Sequence, residues 1–426
     1  MRTILLIQSC WLLACLSWPA AAQTARRLWV IREPDEIVEY DAVSFAPKGS
    51  IKVPAGAIRN PEGLSINSRG QILFVPGITG DEDAFGPGSA VNTIWFWNGR
   101  STAQLDRGAS RKTGRAGANL SVVETLPTCF LSSDGEHLFW FENEFRTLQE
   151  GEGGPDLSVT TLYRVWQTDL MGGQRRKIVE GSFAPCRCGT GVSSETCPEA
   201  ELWAPDGGIG DFFLITHWIP GQLGATYQVS FLHRKAEGNW PGSKLPQPLE
   251  HILDAVRGGE ILISALPDSA CCGWDNESND QTLVTRGGRT TVLFDERERY
   301  VNSNYDVSFF SSRALLSPDI AAVAMTIASG APPESEIRLS SGGKADAKEI
   351  ARIRRSLSGL PAVEVRMLGD SPRPTVSIAH AALAGWLSDR EILILEDQIL
   401  TVFDVASGTR RSTQISAPRI SHVFLK

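Results

Sequence analysis

The stretch LSSDGEHLFWFE, Leu131–Glu142, brings Asp134, Glu136, His137 and Glu142 close together. A histidine among carboxylates could move a proton in acid–base catalysis or help to hold a metal ion. Its neighbours point elsewhere. Asp-Gly is a turn-forming pair, and the run after it is apolar, as a buried strand requires. The same grammar recurs in LSINSRGQILFVPG from Leu64, LWAPDGGIGDFFLITHW from Leu202, DAVRGGEILISALP from Asp254, LLSPDIAAVAMTIAS from Leu315 and WLSDREILILED from Trp386. Asp134 and Gly135 are therefore expected to shape a turn and His137 to start a strand. Glu136 and Glu142 are expected at solvated strand ends.

Other residues invite the same question. Asp81 and Asp83 in DED, and Asp275 and Asp280 in DNESND, offer oxygens to Ca²⁺. Neither stretch has the alternating ligands, central glycine and final glutamate of an EF-hand, so both read first as solvated turns. Eight cysteines are present, and Cys10 and Cys15 lie in the apolar leader described below. Cys186, Cys188, Cys197, Cys271 and Cys272 are candidates for disulfides that tie neighbouring loops, with Cys129 a buried thiol in a strand. The C-x-C-x8-C spacing is not that of a zinc site. The six histidines are scattered, with His217 beside Trp218 at the end of a strand. No G-x-S-x-G nucleophile elbow occurs. Trp218 and Trp274 are candidates for a ligand-binding rim. No catalytic constellation and no cofactor is expected beyond a Ca²⁺ ion at the acidic stretches.

The elements that position these residues follow from what comes after each turn. QILFVPG is followed by NTIWFWNG and STAQLD, and HLFWFEN by TLYRVWQTDLMGGQRRKIVE. EILISALP is followed by QTLVTRGGRTTVLFDE, and EILILED by ILTVFDVASGTRRSTQIS. Each unit reads as four antiparallel strands, A to D, with a small-residue turn between C and D, which is the blade of an all-β propeller. LWVIREPDEIVEYDAVSFAPKGSIKVP, Leu28–Pro54, supplies strands B to D of one blade. RISHVFLK at the other end supplies its strand A, so strands from both termini close the ring and seal the last sheet edge. Turns near Pro34, Gly70, Gly135, Gly207, Gly259, Asp319 and Asp389 count seven blades, and six or eight also fit the uneven spacing. KADAKEIARIRRSL, Lys344–Leu357, is expected as a helix between strands C and D of the sixth blade. Ile350, Ile353 and Leu357 share one face of it, with basic residues elsewhere.

LSSDGEHLFWFE, LLSPDIAAVAMTI and TLYRVWQTDLMGGQRRKI resemble the SPDG blades of TolB-like and WD-repeat-like propellers. The resemblance implies that the Asp-Gly pair forms the A–B turn and that the apolar run after it is a buried strand B. The chain departs from that pattern at Gly259, which has no aspartate before it, and in SPDI, which lacks the glycine.

Propeller topology puts A–B and C–D turns on one face and B–C and D–A loops on the other. The long segments Gly77–Val91, Asp106–Ser121, Glu142–Ser158, Glu180–Glu201 and Pro267–Gln281 all fall to the second face, where loop insertions mark a binding surface. The leading function is thus a non-enzymatic propeller that binds a protein or peptide through this rim. The alternatives are a metal-dependent hydrolase or lactonase at the channel mouth, and an envelope or carbohydrate-binding module. With a net charge of −8, binding to nucleic acid is not expected. MRT, the apolar ILLIQSCWLLACLSW and an A-x-A site before Gln23 read as a signal peptide, residues 1–22, leaving a propeller domain over 23–426. LLAC offers a competing lipid-anchoring site at Cys15. The expected location is periplasmic or extracellular, and no later segment is apolar enough to span a bilayer.

Overall fold

The computed structural model describes residues 27–32, 36–53, 64–67, 69–74, 91–109, 123–125, 128–131, 136–149, 157–170, 176–182, 186–188, 199–203, 211–218, 226–233, 242–244, 251–255, 261–266, 281–286, 289–295, 298, 309–329, 347–369, 374–416 and 420–425. Its strands form seven antiparallel sheets, six of four strands and one of six. Consecutive strands fill six of the sheets, and the seventh joins β1–β3 to the last strand; short apolar runs separated by tight turns pair with their neighbours in this way. Strands A to D follow chain order in every blade but the first, whose strand A comes from the C-terminal end.

The first blade uses β1 (Arg27–Arg32), β2 (Glu36–Asp41) and β3 (Pro47–Lys52) as B, C and D. The second has β4 (Leu64–Ile66), β5 (Ile72–Phe74), β6 (Val91–Trp97) and β7 (Thr102–Ala109). The six-stranded third has β8 (Val123–Thr125), β9 (Thr128–Leu131), β10 (His137–Gln149), β11 (Leu157–Asp169), β12 (Arg176–Ser182) and β13 (Cys186–Cys188). The fourth comprises β14 (Glu199–Trp203), β15 (Asp211–Trp218), β16 (Thr226–His233) and β17 (Gly242–Lys244). The fifth comprises β18 (His251–Ala255), β19 (Ile261–Leu266), β20 (Gln281–Arg286) and β21 (Arg289–Asp295). The sixth has β22 (Phe309–Leu316), β23 (Ala322–Ser329), β24 (Ala362–Met367) and β25 (Pro374–Ala379), with helix α1 (Ala347–Leu357). The last four-strand run is β26 (Ala381–Trp386), β27 (Glu391–Glu396), β28 (Ile399–Asp404) and β29 (Arg410–Ser416). Finally β30 (Ile420–Leu425) returns to β1 as strand A of the first blade. The closure expected from the two ends of the chain is present, with Val30 opposite both Val38 and Val423.

Among the described residues, five seams between blades are apolar. Trp29, Ile31, Ile37 and Ile72 join the first blade to the second, and Leu73, Phe96 and Leu138 join the second to the third. Ile263, Phe294, Phe309 and Met325 fill the fifth seam, and Val363, Val365, Leu383 and Ile394 the sixth. Leu28, Val30, Leu400, Val402 and Val423 close the ring. B strands lie between two such layers and are buried on both faces: β23 and β27 have no exposed residue. D strands face solvent, and β29 buries only Thr413 and Ile415.

Polar groups stitch the same seams. The Asp254 carboxylate accepts from Leu316 N at 2.7 Å, and Thr326 Oγ1 from Leu383 N at 2.8 Å. Trp386 Nε1 donates to Leu315 O at 2.9 Å. Arg313 Nη2 reaches Val423 O at 3.3 Å, linking the sixth blade to the closing strand. Unpaired backbone groups are expensive to bury, and these bonds give partners to two peptide N–H groups, Leu316 and Leu383, and to two carbonyls, Leu315 and Val423.

The A–B turns explain the SPDG pattern. Ser317 Oγ donates to Asp319 and accepts from Ala321 N and Ala322 N, while Asp319 accepts from Ala321 N. Ile320 occupies the glycine position of the pattern with φ +62°, and Gly70 fills the corresponding place with φ +75°. The SPDI departure is thus a left-handed residue held by the turn, not a different turn. Asp134 and Gly135 lie outside the described residues, between β9 and β10.

Three expectations need correction. The helix lies between strands B and C of the sixth blade, because the AVEVRM run pairs directly with β23, Ala322 opposite Met367. Glu142 is in the interior of β10, opposite Arg164, rather than at a strand end. Pro34 falls between β1 and β2, hence in a B–C connection; the A–B step of that blade is made instead by chain closure.

Candidate binding rim

Connections on the A–B/C–D face are short throughout, and the longest spans 234–241. The B–C and D–A connections are longer, with 75–90, 110–122, 189–198, 267–280, 296–308 and 330–361 intervening between strands. The insertions therefore belong to one rim, spread over the second to sixth blades. Two described structures rise there.

The first is an extended hairpin. β10 and β11 each run for 13 residues, with an unbroken ladder from His137 opposite Asp169 to Gln149 opposite Leu157. The part expected as a loop, 142–158, is largely strand. β9 and β12 flank the half of this hairpin within the blade, while β8 and β13 flank the outer half. Cys186 and Cys188 accordingly stand in a strand, opposite Val159 and Leu157, and not in a loop. The charges of ENEFR masked this in the sequence, because ladder hydrogen bonds need no apolar side chains.

The hairpin root is fixed by polar contacts. Gly181 faces Tyr163, whose ring lies so close that a Cβ on Gly181 would sit 2.2 Å from the hydroxyl oxygen. Burial there pushes the Tyr163 phenol above its ordinary pKa. Lys177 closes on one Glu180 oxygen, and Arg164 Nε donates to the other at 2.9 Å. Lys177 first and Arg164 second hold the Glu180 carboxyl below the usual range. Arg164 meets Glu180, and Tyr163 meets Gly181, across β11 and β12, and nothing in their spacing in sequence announces it.

The second structure is α1. Ile353 is fully buried among Phe294, Phe309 and Met325, and Leu357 and Leu360 pack on the same cluster. Gly359, with φ +89°, ends the helix, and His380 N donates to Gly359 O at 2.8 Å. That bond ties the helix exit to the D–A connection before β26. Exposed His380 is itself left-handed, φ +58°, so this short connection is shaped to hold the helix.

The sequence-derived candidates divide as follows. Trp218 ends β15 at the rim side of its blade, after His217. Cys129 lies in strand A of the third blade. Asp81, Asp83, Cys197, Cys271, Cys272, Trp274, Asp275 and Asp280 fall outside the described residues, as do residues 1–22. Among the described residues, no three His, Cys, Asp or Glu side chains gather as a metal site, and no helix is long and apolar enough to cross a membrane.

Sheets of four strands arranged in a ring and closed by both ends of the chain define a β-propeller. No known family and no curated protein matches the chain. Solved structures similar to it include dihydro-heme d1 dehydrogenase NirN in complex with DHE, at 10% identity and TM-score 0.43, over 95% of this chain and 75% of that one. AztD from Citrobacter koseri is similar at 10% identity and TM-score 0.33, over 94% and 98%. Dipeptidyl peptidase 4 from Porphyromonas gingivalis is similar at 8% and 0.40, over 90% of this chain and 57% of that one. At these identities no activity passes from them to this chain.

Proposed function

We propose that this chain is an exported, non-enzymatic propeller that binds a protein or peptide partner through its B–C/D–A rim. One observation carries the reading: insertions, an extended hairpin and a helix are confined to that face, while the opposite face has tight turns. A repeat scaffold that elaborates one face has a surface there to present. Export rests on the leader, residues 1–22. In an oxidising compartment, Cys186 and Cys188 would be joined by disulfides to Cys197, Cys271 or Cys272 of the adjoining connections, stiffening the rim.

A photo-crosslinking amino acid at Gly153, in the connection between β10 and β11, should capture one defined protein from the native compartment. The same probe at Ser407, on the opposite face, should capture none. Equal capture from both faces would refute the rim assignment. A stoichiometric metal in the purified protein, with a melting temperature that falls in EDTA, would replace this reading by a metal-dependent enzyme.

A further inference from the structure

From the register of the third blade we infer that Cys186 and Cys188 form two separate disulfides, at least one of them to Cys271 or Cys272 in the B–C connection of the fifth blade. The inference rests on the export proposed above. Six cysteines follow the leader: Cys129, Cys186, Cys188, Cys197, Cys271 and Cys272.

Cys186 and Cys188 are the first and third residues of β13, opposite Val159 and Leu157. Residues two apart in a strand share a face, with Cα and Cβ positions about 6.6 Å apart. A disulfide needs Cβ atoms about 3.5–4.5 Å apart. The pair therefore cannot close on itself while β13 keeps its ladder. Cys129 is excluded by distance. It stands opposite Trp140, and Trp140 stands opposite Trp166. Val159 is seven positions from Trp166 along β11, about 23 Å of strand, and Leu157 is further still. A disulfide reaches no more than about 7 Å between Cα atoms.

The cysteines left are Cys197 in 189–198, and the adjacent Cys271 and Cys272 in 267–280. Two cysteines of β13 need two partners, and 189–198 offers one. The other must come from between β19 and β20, so a bridge passes from the third blade to the fifth, across the fourth. β13 has reason to be tied. It is a three-residue edge strand at the outer end of the hairpin, and among the described residues it is paired with β11 alone. So short a ladder holds an edge weakly. Forming each bridge takes two protons and two electrons from two thiols, and these convert one disulfide of a dithiol–disulfide oxidant in the export compartment into two thiols. The outcome is a strap that fixes the hairpin end, at the rim proposed to receive the partner, against the fifth blade.

The test uses the full chain, expressed with its leader, collected from the export compartment, blocked with N-ethylmaleimide and digested without reduction. Cleavage after Arg187 and Glu195 puts Cys186, Cys188 and Cys197 on three different peptides. Mass spectrometry should find the peptide of Cys271 and Cys272 joined to that of Cys186 or Cys188, and dithiothreitol should separate them. The wild type should melt about 5 °C lower in dithiothreitol, and Cys186→Ser/Cys188→Ser should lose most of that drop. In exported protein, a Cys186–Cys188 bridge, a Cys271–Cys272 bridge or a free thiol at either position of β13 overturns the inference. Protein that keeps its leader inside the cell defeats the export reading, and the inference with it. The crosslink at Gly153 keeps the binding reading separate. A partner captured by protein without the strap defeats the inference and leaves the rim reading standing, whereas a strap with no captured partner supports the inference and defeats the rim reading.

Discussion

Arg366 is 2% exposed and lies between two blades, hydrogen-bonded to Glu364 at 2.7 Å and Glu298 at 2.9 Å. Its Nη1 also donates to Leu293 O, and its guanidinium lies 5.6 Å from the Phe294 ring centroid. Burial works against the charged form, but the hydrogen bonds it donates to Glu298 and Glu364 outweigh that and keep its pKa raised. Glu364 is equally deep, so Arg366→Met would take the guanidinium away from a buried carboxylate and should destabilise by about 3–5 kcal/mol. Arg366→Met/Glu364→Leu should recover a large part of that loss in urea unfolding. Losses that simply add in this double-mutant cycle would mean that the two groups do not act as a pair. None of this was visible in AVEVRM. Alternation of Val363 and Val365 with Glu364 and Arg366 is what a strand with one wet face looks like. The second face is covered by β21 of the preceding blade, a contact that local periodicity cannot register.

Turns are the elements that the sequence disclosed best, and carboxylates hold several of them. Asp404 accepts from Ser407 N at 2.7 Å and Ala406 N at 2.9 Å, and Asp41 from Ser44 N at 2.9 Å. The Ser407 N–H, more than Arg390, holds Asp404 below the usual carboxylate range, and the Ser44 N–H with Lys48 does the same for Asp41. A lowered folded-state pKa means stability that is full above the ordinary value, 3.8 for Asp404, and lost as pH falls through the folded value. Asp404→Asn should therefore melt below the wild type at neutral pH, and the difference should close in strong acid. A gap that stays constant with pH would show that the charge on Asp404 contributes nothing. Turn residues were legible because Asp, Asn, Ser and Gly bond to backbone within a few residues, so the cause lies inside the motif. The placing of α1 was not legible, because AVEVRM has the composition of either strand C or strand D. Its pairing with β23 across the helix settles the matter, and that is a long-range fact. The length of β10 was hidden for a related reason: its outer half is defined by β8, β11 and β13.

At the scale of the whole ring, stability depends on one closing sheet. β1 pairs on one side with β2 and on the other with β30, whose residues lie far along the chain, Leu28 opposite Leu425 at one end and Arg32 opposite Ile420 at the other. Remove residues 417–426 and three things are lost together. The edge Leu28–Arg32 is opened, Val423 leaves the cluster of Leu28, Val30 and Val402, and Arg313 loses the Val423 carbonyl. An open apolar strand edge is a template for another chain. The truncated protein should melt well below the full chain and form dimers or larger species by light scattering. The peptide RISHVFLK, supplied in excess, should restore both monomer and melting temperature, since a ligand that binds the folded state stabilises it. Both effects should weaken if the peptide carries Asp at the position of Val423, because that residue faces the closing cluster. Should the truncated chain melt like the full one and stay monomeric, the seven sheets would be held by their neighbouring seams alone, and closure by β30 would be incidental to the ring.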